Sequence, residues 1–306
     1  MKRLAAALLL SGVFVAPAAA QDTHLLVVTG VAGTPEHAAR FKEWATEAVE
    51  AAKTLGVLAD NIEQLSDKTA TREGVNTAFA ALASRAKPDD DVFIVLFGHG
   101  SFTGGEGAFN LVGPDLSAAD FALLLDQLPS QRVAFVNTAS SSGAFLEPLA
   151  GPGRTIVTAT RTGGERNETR FPEFFIEALS SESADQDRNG RLSILEVFEF
   201  ATSGVEAAYE QTGHIPTEHA ALEDGSDGKL AASLYLAPPR SRSAEMANAD
   251  PELRILVEKR DTLEQEINNH RLLKGVLDET GYEQELERLL TELALTMRAI
   301  RQLEAK

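Results

Sequence analysis

The sequence predicts an α/β protein: a three-layer α/β/α sandwich around a mostly parallel sheet, with a helical hairpin at the C-terminal end. Two observations carry that prediction. Short apolar runs alternate with stretches of helical spacing, as in parallel sheets covered by helices on both faces. From residue 251 onward the strand pattern stops and helical, partly heptad, spacing takes over.

In order, residues 24–30 (HLLVVTG) read as a buried strand. Residues 36–53 follow with Phe41, Trp44, Ala48 and Ala52 at helical spacing, and 71–86 form a second helix with Val75, Phe79 and Leu82 on one face. The run 91–98 (DVFIVLFG) is the strongest strand and ends in Gly98-His99-Gly100-Ser101. Glycines in 104–107 turn a hairpin, and 118–128 reads as a helix. Residues 132–138 (RVAFVNT) form another strand, ending in Ala139-Ser140-Ser141-Ser142-Gly143. Residues 154–160 are the fifth strand, and a further helix opens at 174–179. Five strands separated by helices imply the sandwich.

Residues 238–250 form a polar, proline-bearing linker, so the domain is expected to span 21–236, the linker 237–250 and the helical hairpin 251–306. The second hairpin helix has a heptad seam at Tyr282, Leu286, Leu289, Leu293, Thr296, Ile300 and Leu303. The first has a shorter one at Leu256, Leu263 and Ile267, with a break expected at 278–281. A hairpin of this size either closes its own small core or packs on the main domain or a second copy, giving a homo-oligomer or another partner.

The composition restricts function. Of 306 residues, 43% are hydrophobic and 24% charged, the range of folded chains. A formal charge of −18 argues against a nucleic-acid ligand, which needs a basic surface. The absence of cysteine excludes disulfides, zinc–thiolate sites and a cysteine nucleophile. Residues 1–20 have the form of a signal peptide: Lys2 and Arg3, an apolar run over 4–15, and Ala18-Ala19-Ala20 before Gln21. The protein is therefore expected to be exported, periplasmic or secreted, with no stable membrane span.

In open α/β sheets functional groups gather at the carboxyl edges of the strands. Two strands end there in reactive residue types, His99 and Ser140. Histidine is the usual base for an oxygen nucleophile. Gly98 and Gly100 beside His99 allow close approach of a substrate backbone and an N–H for a developing oxyanion.

Strand-then-His-Gly, followed by strand-then-Ala-nucleophile-x-Ser-Gly, resembles the caspase and legumain superfamily of cysteine peptidases. Residues 92–101 (VFIVLFGHGS) resemble the legumain-type histidine block, 110–128 the intervening stretch, and 133–145 (VAFVNTASSSGAF) the nucleophile block. The resemblance covers roughly 23–236 and implies a caspase-like sandwich in which His99 is the base and Gly100 lies beside it. Ser140 stands where the family has its catalytic cysteine, and Thr138 stands at the acidic position near the specificity pocket. A serine hydroxyl needs fuller base assistance than a thiol, and neither block offers an evident carboxylate to orient His99. The leading expectation is a pseudo-peptidase that binds a peptide or protein ligand. The alternatives are an active serine endopeptidase using Ser140 and His99, and a calcium-stabilised scaffold that recruits partners through its hairpin. The loop after the fifth strand carries Arg161, Arg166 and Arg170, which either read a substrate carboxylate or pair with Glu165, Glu168 and Glu173.

Residues 185–196 (DQDRNGRLSILE) fit the twelve-residue EF-hand loop. Asp185, Asp187 and Asn189 offer side-chain oxygens, Gly190 makes the turn, and Arg191 offers its carbonyl. Ser193 takes the water-mediated position and Glu196 closes the site. The expected cofactor is a structural Ca2+. EF-hands usually pair, and the nearest second candidate, residues 223–228, is incomplete. His214, Glu218 and His219 read as part of a loop beside the sheet rather than as metal ligands.

Overall fold

The computed structural model describes residues 21–187, 189, 191–236, 251–272 and 279–304, so the leader, Arg188, Gly190 and the 237–250 linker lie outside the described residues. The strands are β1 (Thr23–Thr29), β2 (Ile62–Leu65), β3 (Asp91–Phe97), β4 (Gly100–Thr103), β5 (Glu106–Phe109), β6 (Leu116–Ser117), β7 (Val133–Asn137), β8 (Arg154–Thr158) and β9 (Ala221–Glu223). Six form the main sheet in the order β2-β1-β3-β7-β8-β9, parallel throughout except for β9. The other three form a small antiparallel sheet, β4-β5-β6, after the carboxyl end of β3.

Every residue of β1, β3 and β7 is buried, and their alternation feeds two separate cores. Leu25, Val27, Phe93, Val95 and Phe97 face the layer made by α1 (Pro35–Thr54), α5 (Phe171–Ser180) and α6 (Ile194–Thr212). Leu26, Val28, Ile94, Leu96 and Phe135 face α2 (Arg72–Arg85), α3 (Ala118–Leu125) and α4 (Leu146–Leu149). Burial on both faces is why these strands are continuous apolar runs. The edge strand β2, sequence Ile-Glu-Gln-Leu, carries two polar residues and gave no such signal. The three-layer sandwich is thus the observed fold.

The helices start where caps allow. Thr34 accepts the His37 N–H before Pro35 opens α1, and Ser117 and Asp120 form a capping box for α3. Helix α6 ends at Gly213 in the left-handed region, at φ 65°. No described helix is long and apolar enough to cross a membrane.

The last two helices, α7 (Pro251–Leu272) and α8 (Glu279–Glu304), pack antiparallel on each other. Leu253 and Val257 meet Ile300, while Leu263 and Ile267 meet Leu289. Near the bend, His270 stacks on Tyr282 at 4.8 Å and its Nε2 bonds the Tyr282 carbonyl at 2.9 Å. The hairpin therefore has an apolar core of its own along the expected seam. Residues 273–278 lie outside the described residues, and Gly281, expected in the break, is already inside α8.

Polar pairs tie the amino edge of the sheet. His24 Nε2 bonds Asp90 Oδ2 at 3.0 Å, and Asp91 Oδ1 accepts from Arg132 Nε at 2.6 Å and Gln21 Nε2 at 2.9 Å. Burial pushes the Asp91 carboxyl up to about 6, against the pull of Arg132. Its folded pKa then lies above the unfolded value near 4, so the folded state holds this proton more tightly. The contribution is present below pH 4, is lost as pH rises through 6, and amounts to about 3 kcal/mol at most. The difference in urea midpoint between wild type and Asp91→Asn should change across pH 4–6 and level off above 6.5. A difference that stays constant from pH 4 to 7 would disprove the assignment.

Candidate functional site

Between β1 and β3 the chain reverses its direction of travel across the sheet, and their carboxyl ends bound the usual ligand crevice of an open α/β sheet. Here that crevice is filled. Phe109 of β5, fully buried, lies against Gly30 and Gly98, and a Cβ at Gly98 would come within 2.8 Å of its ring. The β4–β5 hairpin is held down by Asn110 N–H donating to the His99 carbonyl and Val31 N–H donating to the Asn110 carbonyl. What remains partly accessible is His99, Gly100 and Gly143 together with the exposed positions of the 161–170 loop, while Ala139, Ser140, Ser141 and Ser142 are buried.

The structure brings the two blocks together. Gly100 N–H lies 3.4 Å from Ser140 Oγ, and the Ser140 hydroxyl donates to the Gly100 carbonyl at 3.2 Å. A side chain at Gly100 would collide with the Ser140 carbonyl oxygen, which accounts for glycine there. His99 and the Ser140 hydroxyl do not bond each other. His99 Nε2 lies 3.2 Å from the Ala32 carbonyl, and its ring packs edge-on against His37 and Phe41, with centroids 4.8 and 5.1 Å away. A carbonyl only accepts, so Nε2 carries the proton and the basic lone pair sits on Nδ1. The serine proton points to backbone rather than to an imidazole.

The turn after Ser140 is tightly determined. Ser141 is left-handed, at φ 58°, a conformation costing an L-residue about 1–2 kcal/mol. Its N–H donates to the Glu165 carbonyl at 2.8 Å and its own carbonyl accepts from Ala144. Ser142 Oγ and Gly143 N–H both bond Thr160 Oγ1, at 3.2 and 2.8 Å. Thr138 is buried, donating to the Leu96 carbonyl at 2.7 Å while its carbonyl accepts from Thr169 Oγ1 at 2.6 Å.

The three arginines of the 161–170 loop have separate surroundings. Arg161 is exposed, and its backbone N–H lies 3.3 Å from Glu165 Oε2. Arg166 donates to the Phe102 carbonyl at 3.0 Å, and Arg170 reaches Glu173 at 3.8 Å while lying over the Phe174 ring. Only Arg170 pairs through its side chain with one of the three nearby glutamates. Glu168 instead pairs with Arg40 at 3.0 Å and His37 at 3.4 Å, and Glu165 with His219 at 3.6 Å. Glu218, expected as part of a loop beside the sheet, has a helix-capping role that its neighbours in sequence do not announce. It is buried and caps α5, accepting from Arg170 N–H at 2.8 Å, Phe171 N–H at 3.1 Å and the Tyr209 hydroxyl at 3.3 Å. Burial raises its carboxyl above the usual range despite these donors.

The 185–196 loop gathers its acidic side chains. Ligand oxygens of Asp185, Asp187 and Glu196 lie within 4.8 Å of one another. Asn189 N–H donates to Asp185 and Asp187, at 3.0 and 2.9 Å, and Asn189 Oδ1 accepts the Arg191 N–H at 2.7 Å. Glu196 also forms the α6 capping box, its Oε2 accepting from Ser193 N–H at 2.9 Å and Ser193 Oγ at 2.7 Å. Burial, together with the neighbouring Glu196 and Asp185, raises the Asp187 carboxyl. Residues 192–194 of this loop pair with residues 234–236. Leu236 N–H donates to the Leu192 carbonyl and Ile194 N–H to the Leu234 carbonyl, bridging Ser193 to Tyr235. The incomplete second loop has a different job. Asp224 takes the N–H groups of Ser226, Gly228, Leu230 and Ala231, and these bonds hold its carboxyl below the usual range although burial opposes them.

No family model matches the chain, and no curated protein does. Among solved structures it is similar to the crystal structure of protein GSU0716 from Geobacter sulfurreducens, at 13% identity over 69% of this chain and 97% of that one, with a TM-score of 0.45. That likeness carries no argument about the site.

The contact between Gly100 and Ser140 is testable. Gly100→Ala should destabilise the fold by about 2 kcal/mol through overpacking, read as a lower urea midpoint. Gly151→Ala, whose new methyl would meet only the Arg154 side chain at 3.7 Å or more, should change it by less than about 0.5 kcal/mol. Equal midpoints for the two variants would refute this packing.

Proposed function

We propose that the chain is an exported peptidase homologue of the caspase–legumain type that binds a peptide or protein ligand without cleaving it. The observation that carries this reading is the hydrogen bonding at the sheet edge. Ser140 packs against Gly100, next to His99, yet its hydroxyl donates to the Gly100 carbonyl and not to the lone pair left on His99 Nδ1. General-base activation needs the hydroxyl to donate to the imidazole. The exposed Arg161 at the rim remains available to a carboxylate on a bound ligand.

Digestion of a peptide library by the chain from Gln21 onward, beside Ser140→Ala and His99→Ala variants, tests the reading. The expected result is no cleavage by any of the three, with peptides retained by all. Cleavage by wild type that disappears in both variants would establish a serine endopeptidase instead.

We further infer that the 185–196 loop holds a structural calcium ion. The donor set fits a hard cation: it offers oxygen alone, and the carboxylates already stand within the span that calcium–oxygen bonds of 2.3–2.6 Å allow. Asp185, Asp187, Asn189, the Arg191 carbonyl, Ser193 and Glu196 would hold it. Because Glu196 also caps α6, Asp185→Asn is the cleaner test, since its oxygen can still accept the Asn189 N–H. Calcium at 100 times its dissociation constant should raise the melting temperature of wild type by about 5–10 °C over a chelated sample. Asp185→Asn should lose most of that rise, and identical melting curves with calcium and chelator would end the proposal.

A further inference from the structure

Away from the Ser140 edge, α1 and α5 lie side by side over the sheet and leave a groove of about 1710 Å³ between them, reaching the 185–196 loop. Its apolar lining includes Trp44, Ile176 and Leu192. Its rims are acidic. Glu43 and Glu47 on α1, Glu177 on α5 and Glu182 just beyond α5 line it, and none has a salt bridge among the described residues. The guanidinium groups along it are engaged: Arg40 with Glu168 at 3.0 Å, Arg170 with Glu173 at 3.8 Å, and Arg191 over the Tyr235 ring at 3.7 Å.

We propose that this groove docks an extended, lysine- or arginine-bearing segment of a partner protein. Charge complementarity decides the occupant. Parallel rims of unpaired carboxylates above an apolar floor suit long aliphatic stems that end in cations, whereas an acidic segment would be repelled. The dimensions indicate a peptide rather than a small cation. From Arg40 to Leu55 the groove follows α1 for about 22 Å at 1.5 Å per residue, room for about six or seven extended residues. Glu43 and Glu47 are one turn apart, a rise of about 6 Å, close to the roughly 6.7 Å between alternate side chains of a strand. A basic residue at every second position therefore meets successive carboxylates. The groove does not use His99 or Ser140, so this inference stands or falls apart from the reading of the sheet edge.

Trp44, the only tryptophan of the chain, is a built-in probe. The purified full chain would be titrated with a seven-residue peptide carrying lysine at every second position, followed by Trp44 emission and calorimetry. The expected result is saturable binding that shifts Trp44 emission and weakens with salt. Affinity should fall at least tenfold in Glu43→Gln/Glu47→Gln/Glu177→Gln. It should stay within twofold in Glu206→Gln/Glu283→Gln/Glu287→Gln, which removes as much charge elsewhere, and in Ser140→Ala. Equal loss in both triple variants would reduce the effect to overall acidity and overturn the proposal. So would a neutral peptide of the same length binding as well. A tenfold gain on Arg240→Gln/Arg242→Gln would also overturn it, by assigning the groove to the chain's own linker.

Discussion

The structure depends on a parallel sheet whose central strands are buried on both faces. In β1, β3 and β7 no residue is left for solvent, so odd and even positions must each supply a complete core. That requirement fixes the helical layers above and below and confines polar chemistry to the two strand edges. At the amino edge, buried Asp90 and Asp91 are matched by His24 and Arg132. At the carboxyl edge, backbone groups freed by the ends of β3 and β7 are taken up by the hairpin and by the 139–143 turn.

The carboxyl edge is unusually closed. Phe109 fills the crevice at the change of strand direction, and Gly30, Gly98 and Gly100 let the hairpin and the Ser140 turn lie directly on the sheet ends. A side chain that fills this space replaces a small-molecule site by packing. The His99 Nε2 and Ser140 hydroxyl protons both go to backbone carbonyls, which leaves the two residues at neighbouring strand ends without a shared proton.

Acidity is distributed with structural purpose. Glu218 and Asp224 are spent on backbone N–H groups that would otherwise be orphaned at a helix start and a turn. Asp185, Asp187 and Glu196 converge in one loop, and Glu196 also starts α6. Among the carboxylates left over, Glu43 and Glu47 lie on the exposed side of α1 and Glu177 on that of α5. There the apolar face of each helix is committed to the sheet, and only the outer face is free to carry charge.

By itself the sequence determined the features whose causes are local or periodic. The doubly buried strands show as apolar runs, the hairpin as a heptad seam, and the 185–196 loop as twelve residues whose donors are spaced by the loop itself. The approach of Ser140 to His99-Gly100 was legible because adjacent parallel strands bring their ends together. Edge strands β2 and β9 escaped, since a strand covered on one side needs only half the apolar residues. Only the tertiary structure decided where His99 points, because Ala32, 67 residues away, offers the carbonyl that holds it. It alone assigned Glu168 to Arg40, Glu218 to α5, and the pairing of the EF-hand-like loop to Ser193–Tyr235. The physical reason is the same in each case: a hydrogen bond or ion pair between distant residues depends on distances of a few tenths of an ångström, and those are set by the packing of the two cores.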